Sequence, residues 1–385
     1  MVMAFTFVAC GTSNSTTPPT STKPADVSLG VVMDITGALS GIGTSLVNSI
    51  KLAVDQANTA GGINGAHINL FIEDGKTDPA AGFEAIKKLA TVNGCKVIIG
   101  PMISGAVLSS GQWALDNKVL LISPSATSPD IAQQAWRQFF IRTATTDDIQ
   151  GKAMAKIITD GGYTKVAFMV QNNQYGVGIA NAVTAALAGK ATIVSNIHYD
   201  PAKLDYLSEL QQIKAAAPDV IVHAGYEDDA IVVFHQAAQL GLTKSAVKGG
   251  WITSEGVKAD KTIADAQAAA FMVQNVVGTN PVSQGTLYDT FAAAYKAKYG
   301  VDAGTYNDTV YDATNLAIAA MKTAGTTDAA RIAAAVLAAG NNYAGVSGPI
   351  TFNQYGDRTS ATFEEWGVVA SGSGYKYTQI KLITS

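Results

Sequence analysis

Charge is sparse along this chain. Charged residues make up only 15% of its 385 positions and leave a net charge of −4. Non-specific nucleic-acid binding needs a basic face that releases counterions, and this composition offers none. Cysteine is nearly absent: Cys10 and Cys95 lie far apart and give no metal-ligand spacing. The histidines His67, His198, His223 and His235 show none of the three- or four-residue spacing of a helical metal pair. No apolar run reaches the ~20 residues that cross a bilayer. Proline is scarce, at 11 residues against 37 glycines, which suits many short loops between regular elements.

The signatures of catalysis are missing too. Gly75-Lys76-Thr77 ends like a phosphate-binding loop, but Leu70 stands where the upstream glycine belongs. Gly41-Ile42-Gly43 opens like a dinucleotide fingerprint, with Leu46 in place of its third glycine. No Gly-x-Ser-x-Gly elbow occurs in the sequence. The acidic pairs Glu73-Asp74, Asp147-Asp148, Asp228-Asp229 and Glu364-Glu365 suit exposed loops and helix N-termini, where they complement the dipole. No nucleophile–base–orienter set emerges, so the expectation is a protein that is not an enzyme and carries no cofactor or metal.

What is present is core. The hydrophobic fraction is 48%, and a chain this long predicts about two domains. From Asp26 on, apolar strand-like runs alternate with helical spacing. Val27–Met33 reads as a buried strand, and Leu46, Val47, Ile50, Ala53, Val54 and Ala57 recur on one helix face. His67–Ile72, Val97–Ile99 and Val119–Ile122 follow as strands, with a helix over Pro79–Val92. The pattern restarts with strands at Val166–Val170, Ala191–Val194, Val220–Val222 and, more weakly, Ala246–Trp251. Helices at about 176–188, 204–216 and 229–240 separate these strands, and Ala270–Val277 reads as a strand before helices near 284–299 and 306–324. Beyond Ile350 the chain is β-rich. The fold class expected is α/β, with two doubly wound, mainly parallel sheets forming two lobes. Ligands of open α/β sheets bind beyond the C-terminal strand ends, so two opposed sheets predict a cleft between lobes, closed by a hinge.

Residues 11–23 are almost entirely Ser, Thr, Pro and Gly and cannot bury enough apolar surface to fold. The apolar Ala4–Ala9, then Cys10, then this linker resemble a bacterial lipoprotein signal, in which the cysteine is lipidated. The segment before Cys10 differs from a complete export signal in having no Lys or Arg. Cys95, at the edge of Val97–Ile99, reads instead as a small buried hydrophobe.

The strand-end segments form an ordered set. Asp34-Ile35-Thr36-Gly37-Ala38-Leu39-Ser40 is followed by Ile98–Gly105, Leu121–Pro129, Phe140–Gly151 and Gln171–Gly176; Ala224-Gly225-Tyr226-Glu227 and Trp251–Gly256 complete it. Taken together they resemble the leucine/isoleucine/valine-binding protein family, the extracytoplasmic receptors of branched-chain amino acid ABC importers. The resemblance spans the chain beyond the linker. It implies a type I periplasmic-binding fold with three crossings between lobes. Residues 1–25 would be signal remnant and tether, 26–146 with 276–350 one lobe, and 147–275 with 351–385 the other.

The resemblance also implies a site. Ser104 and Thr127 would hold a ligand carboxylate by their hydroxyls, with Ser125 contributing backbone groups; Ser and Thr at these places are also ordinary helix caps. Glu255 would pair with an α-ammonium, since a carboxylate in a closed cleft needs a cation. Tyr175 and Tyr226 would lid the ligand, and Ile42, Met102, Ile103 and Tyr306 would line its side-chain pocket or serve as plain core. Thr77 and Ile103 stand where some relatives carry a disulfide, and Ile42 where some carry an aromatic. The implied function is capture of a small, aliphatic amino acid by a monomeric receptor, tethered through a lipid on Cys10, and delivery to a membrane permease. A receptor for a related carboxylate or amide, and a sensor without transport, are the alternatives.

Overall fold

The computed structural model describes residues 1–4 and 24–383. Cys10 and the polar linker 11–23 lie outside the described residues. Among the described residues no helix is long and apolar enough to cross a membrane.

The chain begins with β1 (Val27–Met33), α1 (Ser40–Thr59), β2 (Ile68–Asp74), α2 (Pro79–Thr91), β3 (Val97–Ile99), α3 (Ser104–Asp116), β4 (Leu120–Ser123) and β5 (Phe140–Thr145). It then enters α4 (Asp147–Asp160), β6 (Lys165–Gln171), α5 (Gln174–Ala186), β7 (Thr192–Tyr199), α6 (Leu207–Ala215), β8 (Val220–Ala224), α7 (Glu227–Gln239) and β9 (Trp251–Thr253). Next come α8 (Asp260–Ala264), α9 (Ala266–Asn275), β10 (Val276–Pro281), α10 (Thr286–Tyr299), α11 (Asn307–Ala324) and α12 (Ala329–Ala339). The tail holds β11 (Asn341–Gly345), β12 (Gly348–Thr351), β13 (Asp357–Arg358), β14 (Phe363–Ser371) and β15 (Gly374–Ile383).

Two sheets result. The first, of six strands, is ordered β13-β5-β4-β3-β1-β2, and the second, of seven, β15-β14-β10-β9-β8-β6-β7. All pairings in the first are parallel; the second becomes antiparallel only where β10 meets β14 and β14 meets β15. Strands such as β3, β4 and β8 are buried along their whole length, as parallel strands covered by helices on both faces must be. One core cluster carries Val32, Ile98, Leu121 and Trp136 on one side of the first sheet, and another Ile221, Phe234, Trp251 and Trp366 on one side of the second. A third runs through residues of both lobes, from Leu29 and Ile99 to Val222 and Ile252. This is the two-lobed α/β architecture expected.

Four expected boundaries move. The run Ala270–Val277 is not a strand: α9 occupies it as far as Asn275, because Asp265 caps the helix at the Gln267 and Ala268 N–H groups and Ala268, Phe271 and Met272 face the core. The strand starts at Val276 and pairs with β9 and β14, so 276–281 belongs to the second lobe rather than the first. Asp357–Arg358 pairs with β5 and so lies in the first lobe's sheet, not the second's. The Ala246–Trp251 strand is also shifted, to Trp251–Thr253. The chain still passes between sheets three times, after β5, β10 and β13.

Candidate functional site

The C-terminal ends of β1, β3 and β4 in the first lobe face those of β6, β8 and β9 in the second across a cleft. A cavity of about 30 Å³ lies there, lined by Leu39, Ile42, Met102, Ile103, Ser104, Ser125, Tyr175, Tyr226, Glu255, Gly256 and Tyr306. Each of the residues expected from the sequence lines this cavity except Thr127, which is buried close by, and Cys10, which lies outside the described residues. Leu39 and Gly256 join them from the sequence's unmarked positions. That volume holds about two waters.

On the first-lobe side, Ser104 opens α3, where backbone N–H groups have no helical partner. Its Oγ accepts from the Ser128 N–H at 3.2 Å. The loop after β4 is tightly held: the Ser123 hydroxyl donates to the Pro101 carbonyl at 2.7 Å and accepts from the Ala126 N–H at 3.0 Å. The Ser125 hydroxyl donates to the Met102 carbonyl at 3.0 Å, so that side chain is engaged within its own lobe. Beneath the loop, Arg142 donates to the Ala126 and Ser128 carbonyls at 3.1 and 2.9 Å and pairs with Asp357 at 2.7 Å. Gly100 allows this convergence: its φ is +113°, and a Cβ there would collide with the Val32 carbonyl. The Thr127 hydroxyl is buried beside the Asp147 carboxylate, whose pKa burial raises and this hydroxyl lowers, and the Thr127 carbonyl accepts from the Asp147 N–H at 3.0 Å.

On the other side Glu255, only 2% exposed, follows β9 in a tight turn. It accepts from the Tyr175 hydroxyl at 2.8 Å, from the Tyr306 hydroxyl at 2.9 Å and from the Gln150 amide. Burial raises its pKa, against the pull of these donors. Tyr175 and Tyr226 stack with ring centroids 5.6 Å apart. Tyr306 belongs to the first lobe and reaches Glu255 from a left-handed backbone at φ +63°, a conformation a bulky residue holds only when its surroundings fix it. Tyr306 is therefore a bridge to the acid rather than simple pocket lining.

Asp147 went unmarked as a site residue in the sequence, where it appeared as one of a pair at a helix start. Its neighbour Asp148 is exposed, but Asp147 is 0% exposed; no cation among the described residues pairs with its carboxylate, and the buried Thr127 hydroxyl is the donor that stands nearest to it. Burial pushes its pKa well above the usual carboxylate range, and the Glu255 charge adds to the effect. Its field reaches Tyr175, Tyr226 and Tyr306 as well. Gln150, one helical turn on, was also missed. No sequence signal separates Asp147 from Asp148; only their positions on α4 do. Asp228 and Asp229, weighed as a second amine site, are engaged elsewhere: Asp228 pairs with Lys261, and Asp229 accepts from Gln171, Tyr199 and the Tyr226 N–H.

None of the residues lining the cavity is Lys, Arg or His. Among the described residues no group of His, Cys, Asp and Glu is placed to hold a metal. On the first-lobe side the cavity meets the Ser104 helix start, and on the other the buried Glu255 carboxylate, already held by two phenols and an amide.

Comparison with known proteins agrees with this fold. Residues 26–363 match the family model described as periplasmic binding protein. The chain is 27% identical over 341 residues to the Leu/Ile/Val-binding protein BraC3 of Rhizobium johnstonii, covering 88% of this chain and 90% of that one. Its fold is similar to that of the branched-chain amino acid transporter substrate-binding protein LivJ from Streptococcus pneumoniae, solved with isoleucine, at a TM-score of 0.79 and 24% identity over 92% of this chain and 99% of that one. It is equally similar, at 0.79 and 18% identity over 93% of this chain and 96% of that one, to a solute-binding protein from R. palustris solved with benzoate.

Proposed function

From its membership of the periplasmic binding protein family, which makes the chain a solute-binding protein rather than an enzyme, we propose that it captures a small aliphatic amino acid between its lobes outside the cytoplasm and delivers it to an ABC permease. Cys10 would carry the lipid that keeps it at the membrane. The observation that supports an amino acid most is Asp147: a fully buried carboxylate that no cation among the described residues pairs with and whose nearest donor is the Thr127 hydroxyl, close to a cavity whose lining has no cationic side chain. An ammonium supplies what it lacks. Ser104, Thr127 and the N–H groups opening α3 would take the carboxylate. Leu39, Ile42, Met102 and Ile103 leave an apolar end for the side chain.

A carboxylate without an amine is the second reading. Glu255 favours it more than its sequence suggested, because two phenols and an amide already satisfy the acid without any ligand cation. The two readings separate in a calorimetric screen with leucine, isoleucine, valine, alanine, phenylalanine, glutamate and benzoate. Aliphatic amino acids should bind and benzoate should not. Asp147→Asn should then weaken leucine by roughly 10–100-fold, the worth of a charged hydrogen bond. Benzoate binding without any amino acid would replace the first reading by the second.

A further inference from the structure

The apolar end of the cavity is built from two short segments of the first lobe. Leu39 and Ile42 come from the turn that opens α1, and Met102 and Ile103 from the approach to α3. Leu39 ends an otherwise open turn: Thr36 and Gly37 face solvent and Ala38 is half-buried, yet Leu39 is 4% exposed. It stands at the N-cap of α1 without a capping side chain of its own.

The tie comes from the loop after β2. The Thr77 hydroxyl accepts from the Leu39 N–H at 3.1 Å and donates to the Thr36 carbonyl at 3.4 Å, so one oxygen spans both ends of the turn. Asp74 grips the start of the turn, accepting from the Ile35 and Thr36 N–H groups at 3.0 and 3.2 Å and from the Thr36 hydroxyl at 2.6 Å. Gly37, at φ +84°, lets the two loops touch, since a Cβ there would stand 2.3 Å from the Lys76 carbonyl oxygen.

The loop that supplies this tie is itself fixed from several sides. Lys76 and Thr77 both hold left-handed backbones, at φ +59° and +53°, which a β-branched residue adopts only when its surroundings impose it. Asp74 also accepts from the Lys76 N–H at 2.9 Å, and the Gly75 N–H donates to the Met33 carbonyl at 2.9 Å. Asp78 then caps α2 at the Ala81 N–H, and α2 starts against α3. The Ser109 hydroxyl donates to the Pro79 carbonyl at 3.0 Å, and a Cβ on Gly105 would stand 2.9 Å from the Pro79 ring. Residues 74–79 are thus wedged between the turn that carries Leu39 and the helix that follows Ile103.

We propose that Thr77 is a specificity-determining positioning residue: without lining the cavity, its hydroxyl fixes Leu39 as a rigid wall of the apolar end and so sets the size of ligand side chain that the cavity accepts. A site discriminates by shape only as far as the residues behind it hold its walls in place. This deepens the amino-acid reading given above and rests on it.

The test pairs calorimetry on the full chain with amide exchange at Leu39 in the protein without added ligand. Thr77→Val keeps the branched shape and loses both hydrogen bonds, whereas Thr77→Ser keeps both. In Thr77→Val the preference for leucine over phenylalanine should fall about tenfold, the upper worth of one net hydrogen bond, while alanine, whose methyl is too short to press on the wall, keeps its affinity within about twofold. The Leu39 amide should exchange about tenfold faster in Thr77→Val, and Thr77→Ser should restore both the preference and the exchange rate. Thr77→Val combined with Leu39→Ala should be no less selective than Leu39→Ala alone. Thr77→Ala takes the place of the valine variant if that fails to fold. An unchanged preference, or equal weakening of alanine, leucine and phenylalanine, overturns the role in specificity; unchanged exchange at Leu39 overturns the tie itself. If no amino acid binds the wild type, the amino-acid reading has failed and the specificity role falls with it, whereas an unchanged preference in a protein that binds leucine sinks this inference alone.

Discussion

Asp34 illustrates how a single buried charge tunes this protein. It closes β1, is 2% exposed, and one of its oxygens has no partner. Burial pushes its pKa from 3.8 up to about 7, the Thr77 N–H opposes that, and the Asp74 charge adds to it. The folded state therefore binds this proton more tightly than the unfolded chain. Its contribution to stability is complete below the unfolded value and is lost as the pH rises through about 7. Asp229 and Asp312, both raised to about 6 by burial, act with the same sign. Asp34→Asn keeps an acceptor for Thr77 and cannot ionise. It is expected to flatten part of the fall in stability between pH 5 and 8 and to exceed the wild type at pH 8 by up to about 4 kcal/mol. Urea unfolding at the two pH values measures this; an equal slope in both proteins would rule it out. His223 runs the other way. Burial holds it neutral, with its pKa down at about 3, between Tyr199 and Thr253.

Among the elements, the loop from β4 to β5 has the most to lose. Arg142 ties it from below by two carbonyls and by Asp357 of β13, so a strand near the end of the chain sets the position of Ser123–Ser128. Arg142→Ala leaves those carbonyls and part of Asp357 unpaired. It should cost about 3 kcal/mol in chemical denaturation and weaken leucine at the same time. Lysine at this position should recover little, because it lacks the planar fork that reaches three acceptors. A loss under ~1 kcal/mol would mean that the loop holds itself. The alternation of β1 through β4 with helices was legible in the sequence because each strand is a short apolar run between clear breakers. The Ala270–Val277 segment was not: its apolar residues fit a strand and a helix equally, and the Asp265 cap together with packing against α7 decides for α9. In the site, Ser104, Tyr175, Tyr226 and Glu255 could be named from their ordered context. Asp147 could not, because burial of one carboxylate of a pair depends on which way α4 faces.

Across the whole molecule, the site exists only where two sheets meet. A ligand held by both lobes should stabilise them together, by about 2.7 kcal/mol at one hundred times its Kd. Hydrogen exchange on leucine addition should slow at α3 and the Ser123–Ser128 loop on one side and around Tyr226 and Glu255 on the other. Slowing confined to one lobe would place the ligand outside the cleft. The sequence by itself determined the two α/β halves, their parallel strands and the candidates at the strand ends, since these follow from local periodicity and breakers. Tertiary structure alone decided where β10 and β13 pair, that Tyr306 bridges to Glu255, and that Asp147 is buried. Those depend on contacts between residues far apart in the chain, and an acid's environment is set by what folds against it rather than by its neighbours in sequence.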